Sequence, residues 1–172
     1  FFFYYAFISE NRLVIDFSLE QMFPEDDIER DTYELFKSEF NREDDKFLLI
    51  YETDNPFSRK NIEVVESITD DLEWIDGIEN ILSLSNIEDG YLFDSDINDS
   101  LWKQNSEFVL NHPIYKNLVI SADGKSGAIY VDLEDDVNTQ FKREVVFNAV
   151  DDVIHLHQNW KWYEAGVPVL RT

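Results

Sequence analysis

Asp94-Ser95-Asp96-Ile97-Asn98 carries side-chain oxygens at alternate positions, the spacing that opens a calcium loop. Such a loop needs glycine at its sixth position and a bidentate glutamate at its twelfth, and here those are Asp99 and Asn105. The stretch therefore reads as an acidic loop that caps a helix. His155 and His157 stand two apart on an expected helix and face different directions, so with His112 they read as surface or rim residues, not zinc ligands. Asp26-Asp27 and Asp151-Asp152 have the chemistry of an acid–base pair. Among 37 acidic residues such neighbours arise by chance, and nothing in the sequence singles one out. GxSxG, P-loop and GxGxxG patterns are absent. The absence of Cys removes disulfide, zinc-thiolate and cysteine-nucleophile chemistry. The expectation is a chain that is not an enzyme and has no catalytic, cofactor-binding or metal site. Trp102, Trp160, Trp162 and Tyr163 have the chemistry to line an apolar ligand path, although core or hairpin packing is the stronger reading for each.

A chain of 172 residues makes one large domain or two small ones, and 44% hydrophobic residues supply a core. The net charge of −23 repels phosphate and anionic lipid, which excludes nucleic acid as a partner. Residues Phe1–Ser9 (FFFYYAFIS) form an oily stub. As a helix, Phe1 to Ile8 would cover ~12 Å of a bilayer core ~30 Å thick, so the stub is read as the end of a membrane span. A buried N-terminal strand is the competing reading.

Hydrophobic spacing then lays out the elements. Leu13–Phe17 reads as a strand and Asp27–Phe40 as a helix. Phe47–Tyr51 reads as a central strand covered on both faces. Ser58 caps a helix carrying Ile62, Val65, Ile68, Leu72 and Ile75, with Gly77 at its C-terminal end, and Ile78–Leu84 is a strand. Asn86–Asp99 is a boundary, with a short strand at Tyr91–Phe93. Asp99 or Ser100 caps a helix with Leu101, Trp102, Phe108 and Val109, which stops at His112-Pro113. Leu118–Ser121 and Ala128–Leu133 flank Asp123-Gly124 as a hairpin, with Gly127 helping the turn. Asn138 or Thr139 caps a helix with Phe141, Val145, Ala149, Val153 and Leu156 on its apolar stripe, and Trp160–Ala165 is the last strand. The expected fold class is α+β: two ferredoxin-like (split βαβ) sandwich subdomains, with mixed sheets and helices on one face.

The end of the chain, Tyr163-Glu164-Ala165-Gly166-Val167-Pro168-Val169-Leu170-Arg171, resembles resistance-nodulation-division (RND) superfamily transporters, especially the MMPL-like predicted exporters. It is similar to the point where their first extracytoplasmic domain returns to the second membrane helix. VIDFSLEQMFPEDD, KSEFN, FLLIYETDNPFS, DGIENILSLSN and ISADGKSGAIYVDL follow that family's order over almost the whole chain. The resemblance implies a porter domain between transmembrane helices one and two of a proton-driven exporter of lipids or other hydrophobic compounds. It implies an inner-membrane protein with this domain on the periplasmic side. Residues 1–9 are then the end of a membrane helix, 10–88 and 89–165 the two porter subdomains, and 166–172 the return, with Gly166 and Pro168 forming the membrane-return turn. The partners it implies are the rest of the transporter chain and a hydrophobic cargo, and it allows a homo-oligomer. The substrate-path residues stay unassigned. There is no room for the long docking insertions of tripartite drug pumps. A freestanding ferredoxin-like binding module is the alternative, and a carboxylate-pair hydrolase the third reading, which requires two acids facing each other in a cleft.

Overall fold

The computed structural model describes residues 45–137, 140–157 and 160–170, together with Thr32 and Leu35. Thr32 and Leu35 are helical. The rest of the expected 27–40 helix, the 13–17 strand and the 1–9 stub lie outside the described residues. The elements below belong to one compact unit, Glu43–Leu170.

Strand β1 (Lys46–Glu52) alternates as a strand should: Phe47, Leu49 and Tyr51 are buried, while Leu48 and Ile50 are half-buried. The continuous apolar run therefore belongs to a central strand with one fully covered face, not two. Helix α1 (Arg59–Glu73) starts where expected, with the Ser58 hydroxyl accepting from the Asn61 amide at 3.2 Å. Its stripe of Ile62, Val65, Ile68 and Leu72 is buried. The helix ends before Gly77, whose φ of +97° instead shapes the turn into β2 (Ile78–Leu82).

A long connection, residues 83–125, precedes β3 (Ser126–Leu133). It holds a 3-10 helix (Ile87–Phe93) where a short strand is expected at Tyr91–Phe93, and α2 (Asp99–Asn111). Asn98, not Asp99 or Ser100, caps α2, accepting from the Leu101 amide at 3.0 Å. The turn at Asp123-Gly124 forms: Gly124 N–H donates to Ser121 O at 3.0 Å. Its first arm is no strand, because Asn117 takes φ +69° and coils the chain so that its amide donates to Ile120 O at 2.7 Å. Only an isolated bridge joins Ile120 to Gly127. Gly127 lies within β3, and its role is packing: a Cβ there would fall 2.1 Å from the Tyr51 ring.

Helix α3 (Gln140–His155) buries Arg143, Val146, Phe147, Val150 and Ile154. The stripe read from sequence is rotated from this one, and Phe141, Val145 and Leu156 are exposed. Ala149 and Val153 of the expected stripe are half-buried, and Val153 packs against the core. The expected caps Asn138 and Thr139 lie outside the described residues. Strand β4 (Lys161–Gly166) is followed directly by a single helical turn, α4 (Val167–Leu170).

The described residues thus make an α+β unit with four helices and one antiparallel sheet, ordered β2-β3-β1-β4. Leu49 sits between Ile129 of β3 and Glu164 of β4. The strands on either side of residues 88–89 share this sheet. Each strand–helix–strand crossover leaves a one-strand gap: β3 fills the gap between β1 and β2, and β1 fills the gap between β3 and β4. Parallel strands are therefore never neighbours, which is why no mixed sheet appears among the described residues. Helices α1 and α3 cover the face bearing Phe47, Leu49 and Tyr51, with the Phe47 and Phe147 rings 4.7 Å apart.

Candidate functional site

Gly166 ends β4 and Val167 begins α4, with no loop between them. Gly166 has φ +139°, and a Cβ there would sit 2.7 Å from Lys46 O and 2.9 Å from Phe47 Cα. Both contacts are backbone and cannot yield, so only glycine suits this position. Pro168 is buried in the first turn of α4, where a missing amide hydrogen costs nothing. The two residues singled out from the sequence are thus adjacent parts of one strand-to-helix turn. Among the described residues no helix is long and apolar enough to cross a membrane.

The calcium-like loop is organised around a guanidinium. Arg59 donates to Ser95 O at 3.3 Å, to Ile97 O, and to the Asp99 carboxylate at 3.0 Å. It also lies over the Trp102 ring, 4.3 Å from the centroid. Trp102 Nε1 donates to Phe57 O at 2.7 Å, and its ring meets Phe93 edge-on at 5.1 Å. The Arg59 guanidinium places its positive charge against this loop and takes the Asp99 carboxylate, which opposes a cation there. No group of three or more His, Asp or Glu residues converges as metal ligands among the described residues.

Asp151 and Asp152, neighbours in sequence, do not form the facing pair. Asp151 on α3 instead meets Glu164 on β4 in a cavity of about 350 Å³, also lined by Ile154, His155 and Trp162. Burial, and then the charge and hydrogen bond of Asp151, push the Glu164 carboxyl above its usual range. His155 Nδ1 lies 2.6 Å from Asp151 O, a contact along its own helix. No hydroxyl lines the cavity to serve as a nucleophile. Sequence reasoning missed Glu164, although the alternation of Trp162 and Glu164 puts an acid on the helix-facing side of the last strand. The His157 carbonyl accepts from Trp162 Nε1 at 3.3 Å. His112 stacks on Tyr115 at 4.4 Å, and its Nδ1 accepts from the Ile114 amide at 3.3 Å. Asp26 and Asp27 lie outside the described residues.

Trp160 stacks on Tyr51 at 4.8 Å, and Trp162 meets Tyr51 at 5.6 Å, so both tryptophans help close the core. Tyr51 itself is fully buried, and its hydroxyl has no hydrogen-bond partner among the described residues. Tyr163 is exposed on the opposite face. The sheet face opposite α1 and α3 carries a small cleft of about 170 Å³. Leu48, Ile50, Leu118, Ile120, Ala128 and Tyr130 contribute its apolar surface, and no charged residue lines it. In a chain of net charge −23, an uncharged concavity stands apart.

No protein-family model matches the sequence, and no curated protein matches it.

Proposed function

We propose that this chain is an extracytoplasmic porter domain of a proton-driven, MMPL-like RND exporter, contributing walls of a path for lipids or other hydrophobic compounds. The observation that carries the reading is the strand-to-helix turn at Gly166 and Pro168. A glycine pressed against the backbone of β1 redirects the edge strand straight into a helix, as a chain returning from a domain to a bilayer must do. The strand order supports a ferredoxin-like sandwich, since two split βαβ units interlock in one sheet. The second sandwich implied by the resemblance then has to draw on chain outside the described residues. The uncharged cleft on the face opposite α1 and α3 suits an apolar cargo better than the acid-rich remainder of the surface. The domain itself carries no catalysis and no proton relay. Its partners are the membrane part of its own chain, a second porter domain and the cargo, at the periplasmic side of the inner membrane.

Deleting residues 1–9 tests the reading. In a porter domain the deletion abolishes partition into detergent micelles and leaves folding stability unchanged. Loss of several kcal/mol of stability, as for buried aromatics, would mean that these residues are core and that the chain is a freestanding module.

A further inference from the structure

A cleft of about 720 Å³ opens at the end of the sheet remote from Gly166, and its volume is that of a small-molecule site. Three strands meet there: Glu52 of β1 stands in register with Ser126 of β3 and with Lys161 of β4. The turn before β3 adds Asp123 and Lys125, and the segments flanking β1 and β4 add Asp54 and Trp160. These groups are held in place. Ser121 Oγ and the Lys125 amide donate to Asp123 Oδ1 at 2.7 and 3.2 Å. Thr53 N–H donates to Lys125 O at 3.2 Å, which ties two of the rims together. Trp160 is fixed by stacking on Tyr51, with the rings 4.8 Å apart.

The lining is nearly balanced in charge. Two ammoniums, of Lys125 and Lys161, face three carboxylates in a chain where acids outnumber Lys and Arg 37 to 14. Lys161 lies 3.7 Å from Glu52, so part of that charge is already paired. A cation in the cleft meets both lysines, and an anion meets three carboxylates. The carboxylates do not converge as metal ligands among the described residues. A wholly apolar ligand would strip water from charged groups and give nothing back. A neutral ligand with many hydroxyls suits both signs, since each hydroxyl donates to a carboxylate or accepts from an ammonium. The C–H face of a sugar ring also offers apolar surface to an indole. We propose that this cleft binds a neutral sugar, as a free glycan or as the head group of a glycolipid. Binding there does not require that the chain be part of an exporter.

The test titrates maltose into the full chain and follows amide and indole NMR shifts. Saturable shifts are expected at Thr53, Lys125, Ser126 and Lys161 and at the Trp160 indole, with a dissociation constant in the millimolar range. Asp54 and Lys125 are exposed, so Asp54→Ala and Lys125→Ala keep the wild-type denaturant midpoint. Each variant weakens maltose binding about tenfold, as loss of one charge-assisted hydrogen bond does. Absence of saturable shifts at these residues overturns the proposal, as does maltose binding that both variants leave intact. Spermidine and citrate are the charged controls. Tighter binding of either at the same residues means that the cleft selects charge, and the sugar assignment falls. Glucose and octyl glucoside below its micelle threshold separate the two sources. Equal affinity supports recognition of the sugar alone, and tighter binding of octyl glucoside with shifts at the same residues supports a glycolipid head group.

Discussion

In the sheet sandwich, Phe47, Leu49 and Tyr51 meet Ile68, Leu72, Val150 and Phe147 from the two helices in one apolar cluster. In the 83–125 connection, Ile87, Phe93, Val109, Val119 and Ile120 join that cluster, but polar bonds to Arg59, Phe57 and Thr69 outside the connection help fix its course. Arg59 holds three oxygens of the 95–99 segment and stacks on Trp102. Asn105 Nδ2 donates to Leu92 O at 2.6 Å and ties α2 to the 3-10 helix. At the entrance to the connection, Thr69 and Ser83 hydroxyls pair at 2.9 Å, and Asn86 accepts from the Ser83 amide at 2.7 Å. Apolar burial is non-directional and repeats with the period of an element, so it sets architecture. Directed hydrogen bonds between remote residues set the path of an irregular segment.

The contrast can be broken at its strongest point first. Leu49→Ala removes a fully buried side chain between both helices and should cost about 2–5 kcal/mol of global stability, read as a lowered denaturant midpoint. Exchange protection should fall in both regions together. Arg59→Ala should cost less, about 1–3 kcal/mol, since several charge-assisted bonds and a cation–π contact go at a partly exposed site. Its mark is local: exchange should accelerate at residues 94–105 and stay slow in β1 and β3. Equal acceleration in the sheet would mean that the connection and the sandwich unfold as one unit. The smallest effect is expected at Tyr51→Phe. The buried hydroxyl has no partner among the described residues, so its removal should leave stability unchanged or raise it by about 1 kcal/mol, measured by denaturation. A marked loss would mean that this hydroxyl is satisfied in solution.

Much of the sandwich was legible. The continuous apolar run at Phe47–Tyr51, the Ser58 cap and the three- and four-residue spacing of α1 are local signals, and each names its element without reference to the rest of the chain. The face of α3 was not. Phe141, Val145 and Leu156 make as good a helical stripe as Val146, Val150 and Ile154, and periodicity does not say which stripe the sheet will cover. The candidate sites divide in the same way. Gly166 and Pro168 were visible because backbone constraint is written in residue type. Glu164 and Arg59 were passed over because their partners lie 13 and 40 residues away, at Asp151 and Asp99.

The sequence by itself determined the α+β class and most element positions, because these depend on hydrophobic period and on backbone sterics within a few residues. Only the tertiary structure decided that the strands interlock in one antiparallel sheet, that Arg59 fills the acidic loop and that Asp151 meets Glu164 and not Asp152. Each of those depends on which distant segments the shared core brings together, and a one-strand gap in a crossover leaves no trace in local sequence.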